Sequence, residues 1–188
     1  MDCNITTHIL RERKNLQGGV NKVYLFPYIK YSRSQIGLSG QELTTFPTTL
    51  IYDWDSISTN YTENTEIEGG DVAWNQNFSI QISKTIVSSE VFKLAKKEWR
   101  AIIVDRLGNI RILGLFNGLD AEITTDLGQG KTDNNGYKIS FTGKEDNQAY
   151  FIKDLDSTGF DIFTIFNFIY DNGTDNIVMD NGDNFILD

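Results

Sequence analysis

The sequence predicts a mainly β protein, an antiparallel β-sandwich or barrel flanked by one short α-helix, and three observations predict it. Residues that favour extended backbone dominate: 22 Ile, 7 Val, 17 Thr, 12 Phe, 8 Tyr and 3 Trp stand against 5 Ala in 188 residues. Such β-branched and aromatic side chains pack well on a pleated surface. In Trp74-Asn75-Gln76-Asn77-Phe78-Ser79-Ile80-Gln81-Ile82-Ser83, apolar residues at 74, 78, 80 and 82 are separated by polar ones, the period of two expected of a strand with one buried face. Short apolar runs then follow one another between Gly- or Asn-containing turns, with one helical segment among them.

Each element has its own local reason. Residues 20–26 read as a first strand, closed by Pro27, which cannot donate to a central ladder. Residues 48–54 form a second strand. The acidic stretch with Glu63, Glu66 and Glu68 leads to a Gly69-Gly70 turn, and this middle piece is either an extended hairpin or an open loop. After the alternating strand, Ser88 or Ser89 caps a helix over about 88–98, with Glu90 favoured in the first turn by the helix dipole and Val91, Leu94 and Ala95 on one face. Residues 99–105 and 110–116 make a hairpin around Leu107-Gly108-Asn109. Strands near 119–127 and 137–142 are joined by the polar loop 128–136, and a short strand at 149–152 closes the series.

A chain of this length buries one full core. The organisation expected is an N-terminal arm at 1–19, a β domain at 20–158 with a long loop or hairpin insertion around 28–71, and a C-terminal extension at 159–188. The extension is first strongly apolar, with Phe160, Ile162, Phe163, Ile165, Phe166, Phe168, Ile169 and Tyr170. A nine-residue unit then occurs twice, with turns at Asn172-Gly173 and Asn181-Gly182. Asn and Gly accept the positive φ of tight hairpins, and strands of a few residues are too short to form a stable sheet unaided. The apolar residues are therefore candidate subunit-interface residues that dock by edge pairing on an adjacent copy. The alternative is packing on the chain's own domain.

Charge is segregated. The net charge is −9, yet residues 51–83 carry six acids and no Lys or Arg, and 151–188 carry eight acids against one Lys, whereas 84–150 carry ten bases and nine acids. No basic patch of the kind that grips phosphates is visible. One Cys (Cys3) and one His (His8) support neither a disulfide framework nor a zinc site, and no Ser or Cys relay surrounds the His. Gly130-Lys131-Thr132 resembles the end of a phosphate-binding loop, but Thr125 stands where that motif needs Gly and a strand is expected to follow. Gly173-x-Asp175-x-Ile177 has the spacing of calcium-binding β-roll repeats, in too few copies. The pairs Asp53/Asp55 and Glu66/Glu68 have the spacing of paired glycosidase carboxylates and are read as solvated. No catalytic residue, cofactor or metal is assigned, and no enzyme activity is expected. The start lacks a signal peptide and no apolar run approaches the length of a membrane span, so synthesis in the cytoplasm and no membrane association are expected.

From Trp74 to Phe151 the order of elements, with Phe92-Lys93-Leu94-Ala95, the hairpin Asp105-Arg106-Leu107-Gly108-Asn109-Ile110-Arg111-Ile112-Leu113-Gly114, then Asn117-Gly118-Leu119, Asp133-Asn134-Asn135-Gly136-Tyr137-Lys138-Ile139-Ser140-Phe141-Thr142-Gly143 and Ala149-Tyr150-Phe151, resembles phage tail-tube-type virion proteins. Cys3-Asn4-Ile5-Thr6-Thr7 is similar to the start common in virion proteins of crAss-like phages infecting Bacteroidota, with Asp2 inserted and His8 where Gly is often seen. The resemblance implies a structural protein of the virion tail or neck, similar to neck or tail-barrel ring proteins. It would assemble with itself into a six- or twelvefold ring beside adjacent tail, neck or portal proteins. DNA would pass through the lumen without specific binding. A cyclic ring multiplies every lumen charge by the number of subunits, so a sliding conduit calls for a neutral or acidic lumen. The alternative is a head-decoration or receptor-binding sandwich that holds carbohydrate, for which Trp54, Trp74 and Trp99 would be the stacking platforms.

Overall fold

A computed structural model describes residues 18–54, 58–83, 92, 94–126, 136–163, 169–170, 176–178 and 184–186. The strands, in chain order, are β1 (Val20–Pro27), β2 (Gly37–Ser39), β3 (Glu42–Thr45), β4 (Thr49–Asp53), β5 (Ser58–Glu68), β6 (Asp71–Ser83), β7 (Trp99–Asp105), β8 (Ile110–Leu113), β9 (Asp120–Asp126), β10 (Gly136–Glu145) and β11 (Tyr150–Ile152). A short helix, α1 (Leu155–Thr158), precedes β12 (Phe160–Phe163), and β13 (Ile169–Tyr170), β14 (Asn176–Val178) and β15 (Asn184–Ile186) complete the order.

Two sheets face each other, so the fold is a mainly β sandwich. The large sheet has eight strands in the order β12-β4-β1-β7-β8-β11-β3-β2, and the small sheet has four in the order β5-β6-β10-β9. Neither closes on itself, because β12 and β2, and β5 and β9, remain edges. The barrel half of the sequence expectation is thereby corrected. The antiparallel rule is also broken twice, since β11 pairs β3 in parallel and β12 pairs β4 in parallel. The second parallel pair follows from α1, which lets the chain turn before it runs alongside β4. Asp154 caps that helix by accepting from the Ser157 N–H at 2.9 Å, and Gly159 ends it at φ +111. A Cβ on Gly159 would lie 2.3 Å from the Phe46 carbonyl oxygen, so only Gly fits there.

The large sheet is the middle layer. Its central strand β1 buries Val23, Tyr24, Leu25 and Phe26 in succession, the continuous apolar run of a strand covered on both faces. Val23, Leu25, Ala101, Ile103 and Leu113 meet Phe78, Ile80, Ile82, Tyr137, Ile139 and Phe141 of the small sheet in a first core. Tyr24, Phe26, Ile102, Ile112 and Ile152 point the other way, into a second core closed by Ile36, Leu43, Phe46, Ile51, Leu115, Leu155 and Phe160. That core is rich in rings, with Phe46 stacked on Phe160 at 4.9 Å and edge-on to Phe26 at 6.0 Å. The Phe46 N–H donates to the Thr158 carbonyl at 2.7 Å, tying the β3–β4 connection to the end of α1.

Residues 28–71 supply a 3-10 turn and the strands β2 to β5, divided between both sheets. Of the two readings for the middle piece, the structure has the hairpin: β5 pairs β6 along its whole length, from Ser58 opposite Gln81 to Glu68 opposite Asp71. Of the helix expected over 88–98, Phe92 and Leu94 are helical, whereas 88–91 and 93 lie outside the described residues. Leu94 is buried in the first core and Phe92 meets the Tyr137 ring edge-on at 5.8 Å.

Candidate functional site

The outer face of the small sheet is a ladder of short polar side chains. Because Phe78, Ile80 and Ile82 of β6 and Ile139 and Phe141 of β10 point into the core, the residues between them point out. Register aligns them in rows across the four strands: Ser58, Gln81, Lys138 and Thr124; Asn60, Ser79, Ser140 and Glu122; Thr62, Asn77, Thr142 and Asp120; and Asn64, Asn75 and Lys144. Neighbouring strands lie about 4.8 Å apart, so this is a broad polar surface, with open hollows of about 240 and 380 Å³ on it. Its charges nearly cancel, and two are paired: the Glu66 carboxylate accepts from Asn75 Nδ2 at 3.0 Å and meets Lys144 Nζ at 3.3 Å. Those two contacts hold Glu66 below the ordinary carboxylate range.

A polar staple joins the two sheets. Gln76 sits at an inward position of β6 and is 2 % exposed. Its Oε1 accepts from the Gly114 N–H at 2.9 Å, and its Nε2 donates to Glu63 Oε1 at 3.1 Å. Glu63 Oε1 also accepts from the Ala149 N–H at 2.7 Å. The small sheet thus holds the loop after β8 and the entry to β11 by side chains that satisfy buried backbone donors.

Arg100 and Glu145 form a buried charged centre beside the same loop. Arg100 is 1 % exposed. Its guanidinium lies 4.3 Å from the centre of the Tyr28 ring and 5.4 Å from those of Tyr31 and Phe46, and its Nε donates to the Leu115 carbonyl at 3.0 Å. Burial lowers its pKa to about 10, so it remains a cation at neutral pH. Glu145, 4 % exposed, accepts from the N–H groups of Phe116 at 2.9 Å and Asn117 at 2.8 Å. Burial raises its pKa, and those two donors offset part of the rise. The Tyr28 hydroxyl donates to the Phe116 carbonyl. The centre fixes the 114–119 loop and offers no surface to a substrate.

A cleft of about 260 Å³ opens between the sheets, lined by Gly19, Val20, Tyr61, Ile103, Asp105 and Arg111 among others. Its acid is already engaged: Asp105 accepts from the N–H groups of Leu107 at 2.8 Å and Asn109 at 2.9 Å and from Asn109 Nδ2 at 2.8 Å. Burial opposes the Asp105 charge, but these donors outweigh it and hold its pKa below the ordinary value. Burial, and then the Glu63 carboxylate, push the Tyr61 hydroxyl far above its ordinary pKa. A turn-bound carboxylate and a phenol that stays neutral make no acid–base pair.

The sequence-predicted residues fall in different places. Phe160 is fully buried in the second core, packed within its own chain and without surface to offer a neighbour. Ile162 and Phe163 are 41 % and 42 % exposed at the edge of the large sheet. Ile169 and Tyr170 form β13 in a separate three-stranded sheet with β14 and β15. Ile165, Phe166, Phe168 and the turns Asn172-Gly173 and Asn181-Gly182 lie outside the described residues, as do Cys3, His8, Asp55 and Gly130-Lys131-Thr132. Trp54 and Trp99 pack against the first core, with Trp99 Nε1 donating to the Leu94 carbonyl at 2.7 Å, and Trp74 is half-buried.

The buried polar centres escaped sequence reading, although one signal was present: Gln76 occupies the inward phase of an otherwise apolar alternation. Among the described residues no three of His, Cys, Asp and Glu converge as metal ligands, and no helix is long and apolar enough to cross a membrane. No protein-family model, curated protein or solved structure matches this chain.

Proposed function

We propose that this chain is a structural virion protein that assembles into a ring of a phage tail or neck and lines part of the conduit through which DNA is ejected. The observation that carries the reading is the outer face of the small sheet. A wall past which DNA slides needs hydrogen-bonding groups that keep it wet, no apolar surface to stick, and no array of cations to grip phosphates. The Asn, Ser and Thr rows of β5, β6 and β10 meet all three requirements, with Lys138 and Lys144 outnumbered by one by Glu66, Asp120 and Glu122. The tip of the β5–β6 hairpin supports assembly. It runs past β10, turns at Gly69 and Gly70, and exposes the facing pair Ile67 (77 %) and Val72 (51 %).

The carbohydrate-binding alternative requires exposed aromatic platforms, and the half-burial of Trp54, Trp74 and Trp99 favours it less. Negative-stain microscopy of the purified chain tests the reading. Annular particles with a central hole are the expected result, and monomers that bind glycans would replace the proposal by its rival.

A further inference from the structure

The large sheet ends at β12, and among the described residues β12 pairs on its β4 side alone. The side chains around this edge are apolar and exposed: Ile162 at 41 % and Phe163 at 42 % on β12, and Leu50 at 43 % and Tyr52 at 39 % on β4. Phe163 stands opposite Tyr52 in register, with ring centres 5.5 Å apart. Tyr52 in turn stands opposite Leu25, so Tyr52 and Phe163 share the face that the small sheet covers farther in. Ile162 stands opposite the buried Ile51, on the other face. The edge is therefore flanked by apolar groups above and below, a form that invites an added strand.

The same chain carries strands that, among the described residues, pair with neither larger sheet. β13, β14 and β15, of two, three and three residues, make a sheet of their own, and a sheet so small is not stable by itself. Five residues, 164–168, separate it from β12, a link that spans at most about 18 Å. That reach would let β13 fold back on β12 as a hairpin, yet among the described residues β13 pairs only β14 and β12 only β4. The β12 edge is thus left open to a strand of another chain.

We propose that the β4–β12 edge of one copy is the seat of the β13–β15 sheet of a neighbouring copy, each chain giving its terminal sheet to the next. The contact is heterologous, the class that closes into a ring when the rotation permits. The inference names the surface by which copies join, and so rests on the reading that they assemble. Charge does not drive it. The terminal segment carries Asp171, Asp175, Asp180 and Asp183 without Lys or Arg, and the seat carries Asp53 and Asp161, so screening by salt is expected to tighten the assembly.

Complementation between two full-length variants tests it by native mass measurement. Leu50→Lys/Phe163→Lys spoils the seat and keeps the terminal sheet, whereas Ile177→Pro breaks the central strand of the terminal sheet and keeps the seat. Each alone is expected to stay at the single-chain mass of 21.4 kDa, and an equimolar mixture to give a species of twice that mass and nothing larger. Ile162→Lys serves as a second seat variant if the double variant does not fold. Two folded variants that stay monomeric when mixed, or that each assemble like the parent chain, overturn the inference. In the second case the annular particles of the parent leave the ring reading standing. A parent chain that is monomeric at every concentration and salt overturns both.

Discussion

Removing Arg100 takes a cation from between the rings of Tyr28, Tyr31 and Phe46 and leaves the Leu115 carbonyl without its donor. Arg100→Ala is expected to cost about 2–5 kcal/mol in urea unfolding, and Arg100→Lys to fall between, because an ammonium keeps the charge and loses the planar stack. Glu145 gives a pH test with a definite sign. Its folded pKa lies above the ordinary 4.5, so the native state takes up the proton more readily than the unfolded chain, and the charge costs stability above the folded value. Lowering pH from neutral toward 4.5 relieves that cost in the parent, whereas Glu145→Gln carries none. Unfolding free energies measured at several pH values should therefore move in the parent's favour over that window, and parallel profiles would remove Glu145 from the account. Neither residue was legible in the sequence. Arg100 lies in the run Trp99-Arg100-Ala101-Ile102, and whether such a charge is solvated or caged depends on Tyr28, Tyr31 and Phe46, which are distant along the chain.

At the scale of elements, the staple and one close approach set how the sheets join. Gln76→Leu leaves the buried Gly114 N–H without its acceptor and takes one of two donors from Glu63, and is expected to lower stability by about 1–3 kcal/mol. A Cβ on Gly143 would lie 2.5 Å from the Gly118 carbonyl oxygen, so Gly143→Ala is expected to cost about 1–3 kcal/mol through backbone displacement. Thermal or urea unfolding of the two variants checks both values. The strands themselves were readable where the period was clear. Residues 74–83 fall within β6 because Phe78, Ile80 and Ile82 share its inner face, and the hairpin read at 99–105 and 110–116 falls on β7 and β8 around Leu107-Gly108-Asn109, with β8 ending at Leu113 where the chain turns. The strands β2 and β3 were not read, since three and four residues of mixed polarity carry no period and gain their structure by pairing with each other and with β11.

For the whole molecule, the polar ladder makes the conduit reading testable by charge. Thr62→Lys with Ser140→Lys adds two cations per subunit to the outer face of the small sheet, about a dozen in a sixfold ring, and six to ten phosphate contacts already give strong, salt-dependent binding. Assembled variant particles are expected to retain duplex DNA at 50 mM salt and to release it steeply by 200 mM, while the parent retains none at either. Equal DNA retention by parent and variant would place this face away from the lumen.

The sequence by itself determined the class. Its excess of β-branched and aromatic residues, the inward phase of 74–82 and the Gly- and Asn-rich turns demand sheets with buried faces, because local backbone preference and side-chain period are properties of neighbours along the chain. Tertiary structure alone decided that the sheets stack without closing, that β3 and β12 enter in parallel, that Phe160 belongs to the chain's own core while Phe163 does not, and that Gln76, Glu63, Arg100 and Glu145 meet backbone donors and rings from other strands. Those outcomes depend on partners far apart in sequence, whose distances no local pattern encodes.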